Sequence, residues 1–222
     1  MNIFDIIGPV MIGPSSSHTA GAVRIGRVSW KILGERAVGA EIGLAGSFAR
    51  TYRGHGTDKA IIAGILGFKP DDDRIPHSFE IAEQAGLSYR FTEIKLAHAH
   101  PNTAVLHLDG EHGTQCTVQG ASVGGGSILI TKLNGMDSVF SGELDTLIVA
   151  HKDTPGMIAS VASLLAGSGI NIGNFRLSRP RRGEPAIMTI EMDESIGKST
   201  VNELKALPGI ISVVYMRAAN RS

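Results

Sequence analysis

The sequence predicts a two-domain α+β chain whose C-terminal domain has the element order strand, helix, strand, strand, helix, strand. Three observations lead to this prediction: short runs of β-branched and apolar residues, amphipathic runs with helical spacing between them, and turn residues at the junctions. The order βαββαβ is typical of a ferredoxin-like fold. The change of pattern along the chain places a mixed α+β N-terminal domain at residues 1–143 and the C-terminal domain at residues 146–222.

The elements of the C-terminal domain follow one another clearly. An apolar run at residues 146–150 predicts the first strand, and Asp153-Thr154-Pro155 then supplies a helix cap followed by proline in the first turn. Apolar residues at helical spacing continue until Gly167-Ser168-Gly169, which ends the helix. The remaining predictions are strands at residues 170–177 and 186–192, a helix at 199–207 and a last strand at 210–216.

The N-terminal domain mixes both kinds of element. Helices are predicted at residues 17–33, 57–66 and 78–84, with Thr57 as the N-cap of the second. Further along, the pattern changes to strands, with turn residues at Asp109-Gly110 and Asn134-Gly135. The predicted strands cover residues 89–96, 104–108, 114–119 and 128–133.

Composition excludes several classes of protein. Lys and Arg total 21, as do Asp and Glu, and no basic stripe follows the chain, so a nucleic-acid partner is not expected. Residues 1–8 carry no Lys or Arg, and the apolar run before Pro14 is short, so we expect no signal peptide, no membrane span and a cytoplasmic location. Cys116 is the only cysteine, which excludes an internal disulfide and any metal cluster that needs several thiolates from one chain.

The densest polar cluster is Ser15-Ser16-Ser17-His18-Thr19, which lies between an apolar segment and a predicted helix start. Hydroxyls and unpaired backbone N–H groups meet at such a point, so it favours an anion. The alternative is an ordinary capping sequence with Ser17 as the cap. Three serines and a histidine exceed what one cap requires.

A second cluster places His55 between two glycines, just before the predicted helix at residue 57. The glycines leave the imidazole approachable, and a histidine near its ordinary pKa can transfer a proton at neutral pH. Arg53 or Lys59 is a candidate for holding a carboxylate. The alternative is a flexible Gly-His-Gly turn with no chemical role.

The third cluster, His98-Ala99-His100-Pro101-Asn102-Thr103, superficially resembles a pair of metal ligands. Alternate spacing without a Cys or carboxylate partner is weak evidence for zinc, so we predict no metal site. His100 and Asn102 are expected to donate hydrogen bonds to a substrate or to shape a turn. The run Gly124-Gly125-Gly126 lacks the spacing of a phosphate-binding or dinucleotide-binding loop, so no nucleotide cofactor is expected.

In the C-terminal domain the candidate site lies where the first strand meets the following helix. A helix N-terminus and a glycine meet there, which is a place where an amino-acid effector can put its carboxylate. The candidate effector-binding residues are Asp153, Gly156 and Met157. The alternative is a domain that serves only to dimerise through its sheet.

Taken together, five motifs resemble the β chain of the iron–sulfur-dependent L-serine dehydratase. Residues 146–218 resemble an ACT domain, and the N-terminal part resembles the allosteric-substrate-binding domain shared with some phosphoglycerate dehydrogenases. The motifs are Ile12-Gly13-Pro14-Ser15-Ser16-Ser17-His18-Thr19, Arg24-Ile25-Gly26, Gly54-His55-Gly56-Thr57-Asp58-Lys59-Ala60, His100-Pro101-Asn102-Thr103 and residues 122–127.

The resemblance implies a lyase subunit that converts L-serine to pyruvate and ammonia with a partner. The partner is an α chain whose cysteines hold a [4Fe–4S] cluster, so the active site is shared and neither chain is competent alone. In this interpretation His18 or His55 handles protons, while His100 and Asn102 orient the substrate hydroxyl or line the site. The substrate carboxylate is held by the hydroxyl-bearing residues of the first cluster: Ser15, Ser16, Ser17 and Thr19.

Two other interpretations remain at this point. One is a non-enzymatic amino-acid sensor, in which both domains bind serine-like effectors and a symmetric dimer regulates another protein. The other is a regulatory piece of a 3-phosphoglycerate dehydrogenase. The chain lacks a dinucleotide fingerprint, so it would be a piece detached from the catalytic domain, and Ser-Ser-Ser-His-Thr favours the dehydratase.

Overall fold

The computed structural model describes residues 15–218. The chain divides into two compact units, residues 1–135 and 136–222. This division falls earlier than the boundary that the sequence pattern predicts at 143–146. The reason is an additional strand, β6 (Met136–Phe140), which packs against two strands of the second unit. Within residues 15–218, every helix is too short or too polar to cross a lipid bilayer.

The first unit packs four helices against an antiparallel-rich sheet. A π-helical turn, Ser16–Ala20, precedes the first helix, and a 3₁₀ turn, Ile75–His77, precedes the last. The helices are α1 (Gly21–Leu33), α2 (Gly46–His55), α3 (Thr57–Ile65) and α4 (Ser78–Gln84). The strands are β1 (Ala37–Leu44), β2 (Ser88–Glu93), β3 (Thr103–Gly110), β4 (Gln115–Gly124) and β5 (Ser127–Leu133).

Within this unit the strands lie in the order β2-β1-β3-β4-β5. β1 and β2 are parallel, whereas the other neighbours are antiparallel. α1 packs on β3 and β4, and α3 packs on α1. Cys116 lies in this core, where its Sγ is 3.7 Å from the Ser29 carbonyl oxygen and burial raises its pKa to about 12.

Two glycines set the distance between α1 and α3. A Cβ on Gly64 would lie 2.1 Å from the Val23 carbonyl oxygen, and a Cβ on Gly26 would lie 2.4 Å from the Ile61 carbonyl oxygen. These are backbone atoms of the facing helix, so only glycine permits this separation. The close packing fixes α1, and therefore the polar turn that precedes it, against α3.

Several sequence predictions for this unit are wrong. β1 was not predicted, because Gly39 and Gly43 interrupt its alternating pattern and lower its strand propensity. The helix α2 has no counterpart among the predicted helices, and its last residue, His55, belongs to the segment for which a flexible Gly-His-Gly turn is the alternative interpretation. Thr57 is not an N-cap: Gly56, at φ +68°, occupies that position, and Thr57 lies inside the first turn of α3. The cap of the first polar turn is Ser15 rather than Ser17.

The second unit has the predicted ferredoxin-like order. After β6 come two βαβ halves whose strands form one antiparallel sheet in the order β10-β7-β9-β8. Its elements are β7 (Asp145–His151), α5 (Met157–Gly167), β8 (Ile172–Ser178), β9 (Ala186–Met192), α6 (Lys198–Ala206) and β10 (Ile210–Met216). The α+β fold class is therefore confirmed.

The core of the second unit lies between the sheet and its two helices. β7 and β9 are the central strands, and both are buried along almost their whole length. Apolar side chains from these strands meet those of α5 and α6. The core includes Leu147, Val149, Val161, Leu165, Met188, Ile190 and Leu204. β6 is joined to this unit by a buried hydrogen bond between the Ser138 and Thr189 hydroxyls at 2.6 Å.

Candidate active site

The π-helical turn before α1 carries the first polar cluster. Ser15 has an extended backbone, and its Oγ accepts a hydrogen bond from the His18 N–H at 3.3 Å, as an N-cap does. The Gly21 N–H donates to the Ser16 carbonyl five residues earlier, which is the hydrogen bond that defines a π-helical turn. Ser15, Ser16, Ser17 and His18 are half-buried, so their side chains remain accessible at the start of α1.

Thr19 differs from its neighbours because it is only 3% exposed. Its hydroxyl has no hydrogen-bond partner among residues 15–218. Ser122, at the end of β4, shares both properties and is fully buried. It lies directly against the start of α1, because a Cβ on Gly21 would be 2.1 Å from the Ser122 Oγ. Two unsatisfied hydroxyls therefore lie beneath the polar turn.

His18 lies among side chains from its own turn and from α2. Its Nδ1 is 3.3 Å from the Ser15 Oγ, and its Nε2 is 3.5 Å from the Ser47 Oγ. Phe48 packs edge-to-face against the imidazole, with 5.4 Å between ring centroids. The His55 ring is closer still, at 4.9 Å between centroids. The two histidines that the sequence offered as alternatives are thus neighbours in one site.

His55 is the last residue of α2 and is exposed. Gly56, in the left-handed conformation, ends α2 and begins α3 without an intervening loop. Burial lowers the pKa of His18, and the nearby His55 lowers it further. The neutral imidazole of His18 is therefore favoured near neutral pH, which is the form that can accept a proton.

Replacement of His55 by asparagine should raise the pKa of His18 towards its ordinary value, because the charge contribution disappears. The increase should be partial, because burial is the larger cause and remains. The measurement is an NMR titration of the histidine ring signals, with His77→Asn, an exposed histidine of the 3₁₀ turn, as the control. An unchanged or lowered His18 pKa in His55→Asn would contradict the electrostatic coupling.

The lowered pKa of His18 also determines how the free energy of unfolding depends on pH. The folded-state pKa of His18 lies below its unfolded value, so protonation favours the unfolded chain. The contribution of His18 to the free energy of unfolding is complete above the unfolded pKa of about 6.5. It decreases as the pH falls from there through the folded pKa.

The third cluster forms a loop that packs beside this site. The Pro101 carbonyl accepts hydrogen bonds from the Ser47 N–H at 2.7 Å and the Phe48 N–H at 3.3 Å, so it satisfies the first donors of α2. The Asn102 carbonyl accepts one from the Ser122 N–H at 3.0 Å. The loop therefore connects the N-terminus of α2 with the end of β4.

The His100 and Asn102 residues interact with each other in this loop. His100 is exposed, and its Nδ1 accepts a hydrogen bond from the Asn102 N–H at 3.2 Å. Neither side chain is hydrogen-bonded to His18 in the part of the chain that the structure describes. This geometry favours the turn-shaping alternative, and a direct contact with substrate stays a prediction.

The candidate effector residues of the second unit have contacts within that unit. Asp153 accepts hydrogen bonds from the Arg179 guanidinium and, at 3.2 Å, from the Gly183 N–H. Arg179 lowers the pKa of Asp153. Met157 is 6% exposed and belongs to the core, while Gly156, at φ +90°, is the N-cap of α5. Effector binding here, like dimerisation through the sheet, stays a prediction.

Among residues 15–218, no set of three or more His, Cys, Asp or Glu side chains is close enough to hold a metal ion. The site around His18 is instead made of hydroxyls, two imidazoles and an aromatic ring. These groups can bind an anion and transfer a proton.

Comparison with known proteins identifies the family. Residues 2–86 match the family model of the serine dehydratase beta chain, and residues 146–209 match that of the ACT domain. The chain is 47% identical to the probable L-serine dehydratase, beta chain, of Bacillus subtilis (strain 168), with 96% of each chain covered. This chain belongs to the serine dehydratase beta chain family. It is also 40% identical to the L-serine dehydratase, beta chain, of Peptoniphilus asaccharolyticus, again over 96% of both.

Membership of the serine dehydratase beta chain family confirms the resemblance that the sequence motifs predicted. The D-3-phosphoglycerate dehydrogenase of Bacillus subtilis is a more distant relative, 27% identical over 70% of this chain and 30% of its own length. Ser47 and Phe48 belong to the second polar cluster of the sequence, but the sequence prediction gives neither of them a role in the site. The sequence signal that indicates a role for them is a small residue and a hydroxyl-bearing residue, Gly46-Ser47, directly before the aromatic Phe48.

Proposed function

We propose that this chain is the β subunit of an L-serine dehydratase that produces pyruvate and ammonia. The observation that carries the proposal is the contact between His18 and His55 beside a serine-rich helix start, in a chain closely similar to two L-serine dehydratase beta chains. Such a site offers an anion-binding surface and a neutral base within one small region. These are the two functions that elimination from an amino acid requires of protein side chains.

The substrate carboxylate binds at the turn before α1. Ser15, Ser16 and Ser17 present hydroxyl groups there, and the backbone N–H groups of a helix start favour a negative charge. Thr19 lies deeper and has an unsatisfied hydroxyl, so it supports the turn or completes the site when substrate is present. Binding at this point places the α-carbon of serine near the two imidazoles.

One of the two histidines accepts the α-proton. His18 has the lowered pKa that favours a neutral base, while His55 is the exposed member of the pair and can exchange protons with solvent. Loss of the hydroxyl as water then leaves aminoacrylate, which hydrolyses to pyruvate and ammonia. A [4Fe–4S] cluster with an open iron position, when bound, supplies the Lewis acid for the departing hydroxyl.

The residues of this chain do not fit such a cluster. Cys116 is its only cysteine, and this thiol is buried with a pKa raised to about 12. The cluster ligands must therefore come from a partner α chain. In support, the L-serine dehydratase of Streptomyces coelicolor, 26% identical, is matched over only 44% of its length. The rest of that protein is not matched by this chain.

The test is anaerobic reconstitution with the α chain from the same genome. We expect pyruvate from L-serine only when both chains and the intact cluster are present. Four samples are compared: this chain alone, the α chain alone, the mixture, and the mixture after the cluster is removed by oxidation. Pyruvate formation by this chain alone would overturn the proposal. A mixture that binds serine without cluster-dependent turnover would favour the non-enzymatic sensor instead.

A further inference from the structure

We propose that Ser47 is a positioning residue that holds the neutral imidazole of His18 with its proton on Nε2. The structural part of this inference stands on geometry alone, and its consequence for catalysis rests on the proposed function. Ser47 belongs to α2, so the helix that carries His55 at its end also orients His18 from its start.

Hydrogen bonds to both the N–H and the carbonyl of Ser47 fix its backbone. Its N–H donates to the Pro101 carbonyl at 2.7 Å, and its carbonyl accepts from the Thr51 Oγ1 at 2.8 Å. The preceding Gly46 has φ +57°, and a Cβ there would lie 2.6 Å from the Pro101 oxygen. The Ser47 side chain is therefore left with only its χ1 rotation, and its Oγ lies 3.5 Å from the His18 Nε2.

The tautomer follows from the hydrogen bonds of Ser15. The Ser15 Oγ already accepts the backbone N–H of His18, so its own proton is available to the His18 Nδ1 at 3.3 Å. Nδ1 is then an acceptor, and the neutral ring carries its proton on Nε2. Ser47 is the acceptor that faces this proton. The distance of 3.5 Å is at the long end of the hydrogen-bond range.

Removal of the Ser47 hydroxyl leaves Nε2 without its acceptor. Phe48 and His55 still pack against the ring, so His18 stays in the site. The Ser15 hydroxyl still faces Nδ1, so the preference for the Nε2–H tautomer weakens but does not disappear. In Ser47→Ala we expect kcat of the reconstituted enzyme to fall by about 10- to 100-fold, as small losses of orientation do. KM should change by less than about threefold, because the serine-rich turn is untouched. Ser47→Thr keeps a hydroxyl and should recover most of kcat.

The decisive measurement uses the isolated chain and needs no activity. Long-range ¹H–¹⁵N spectra of the labelled chain report which nitrogen of His18 carries the proton. We expect the Nε2–H form in the unchanged chain and in Ser47→Thr, and a measurably larger fraction of the Nδ1–H form in Ser47→Ala. Ser163→Ala, an exposed serine of α5, is the matched control and should leave the His18 signals unchanged.

The outcomes separate the two proposals. Identical His18 signals in Ser47→Ala and the unchanged chain would overturn the positioning role, whatever happens to turnover. A changed tautomer supports the role even if reconstitution yields no pyruvate, in which case the proposed function fails. A changed tautomer with unaltered kcat would overturn the catalytic part of the inference.

Discussion

Replacement of His18 by alanine is expected to lower kcat of the reconstituted enzyme by about 10²–10⁴-fold, the range that a positioned acid or base contributes. The His18 side chain contacts Ser15 of the serine-rich turn, Ser47 and His55. Ser16→Ala should also abolish most turnover, because it removes a hydroxyl from the helix start at which we propose that the substrate carboxylate binds. Both residues are half-buried surface positions, so both variants should remain folded.

The measurement is cluster-dependent pyruvate formation, together with thermal unfolding of each purified variant. His77→Ala is the matched control, since it removes an exposed histidine of the same unit from a 3₁₀ turn and should retain full kcat. Turnover close to that of the unchanged chain in either His18→Ala or Ser16→Ala would contradict the site assignment.

Replacement of Gly64 by alanine is expected to unfold or strongly destabilise the first unit. The new Cβ would lie 2.1 Å from the Val23 carbonyl oxygen and 2.7 Å from the Arg27 backbone nitrogen. Because both atoms are backbone, α1 and α3 must move apart, and no side chain can rotate to make room. The loss in free energy of unfolding should reach the upper end of the about 1–3 kcal/mol that overpacking costs.

Urea denaturation measures this effect, and Gly54→Ala is the matched control. Gly54 is also a helical glycine, but it has no other atoms within 4 Å of the position of a new Cβ. Alanine there should stabilise the chain by about 0.5–1 kcal/mol, because glycine is the poorer helix former. Equal stability of Gly64→Ala and the unchanged chain would show that the α1–α3 distance is not set by glycine.

The second unit shows how far local pattern can predict structure. The strands predicted at 186–192 and 210–216 have the bounds of β9 and β10 in the structure. Both are rich in apolar or β-branched residues and begin after proline or glycine, so local propensity and tertiary environment agree. The first unit was predicted less well. Glycines in β1 and around α2 lower the local signal. Tertiary contacts stabilise these elements: β1 pairs with β2 and β3, and α2 packs on α3 and β3.

The candidate site divides in the same way. The residue types of the serine-rich turn and of the Gly-His-Gly segment were sufficient to propose anion binding and proton transfer, because these chemistries depend on side-chain identity. That His18 and His55 touch, with 4.9 Å between ring centroids, depends on a corner at Gly56 and on the packing of α1 against α3. No short stretch of sequence contains both causes.

The sequence by itself determined which groups are available for chemistry: hydroxyls before a helix, two histidines and one cysteine. Only the tertiary structure decided that both histidines belong to one site, that Ser47 faces His18, and that Cys116 is buried. The physical reason is that reactivity needs distances of a few ångströms. Those distances come from helix packing and from the loop at Pro101, which join residues far apart in the chain.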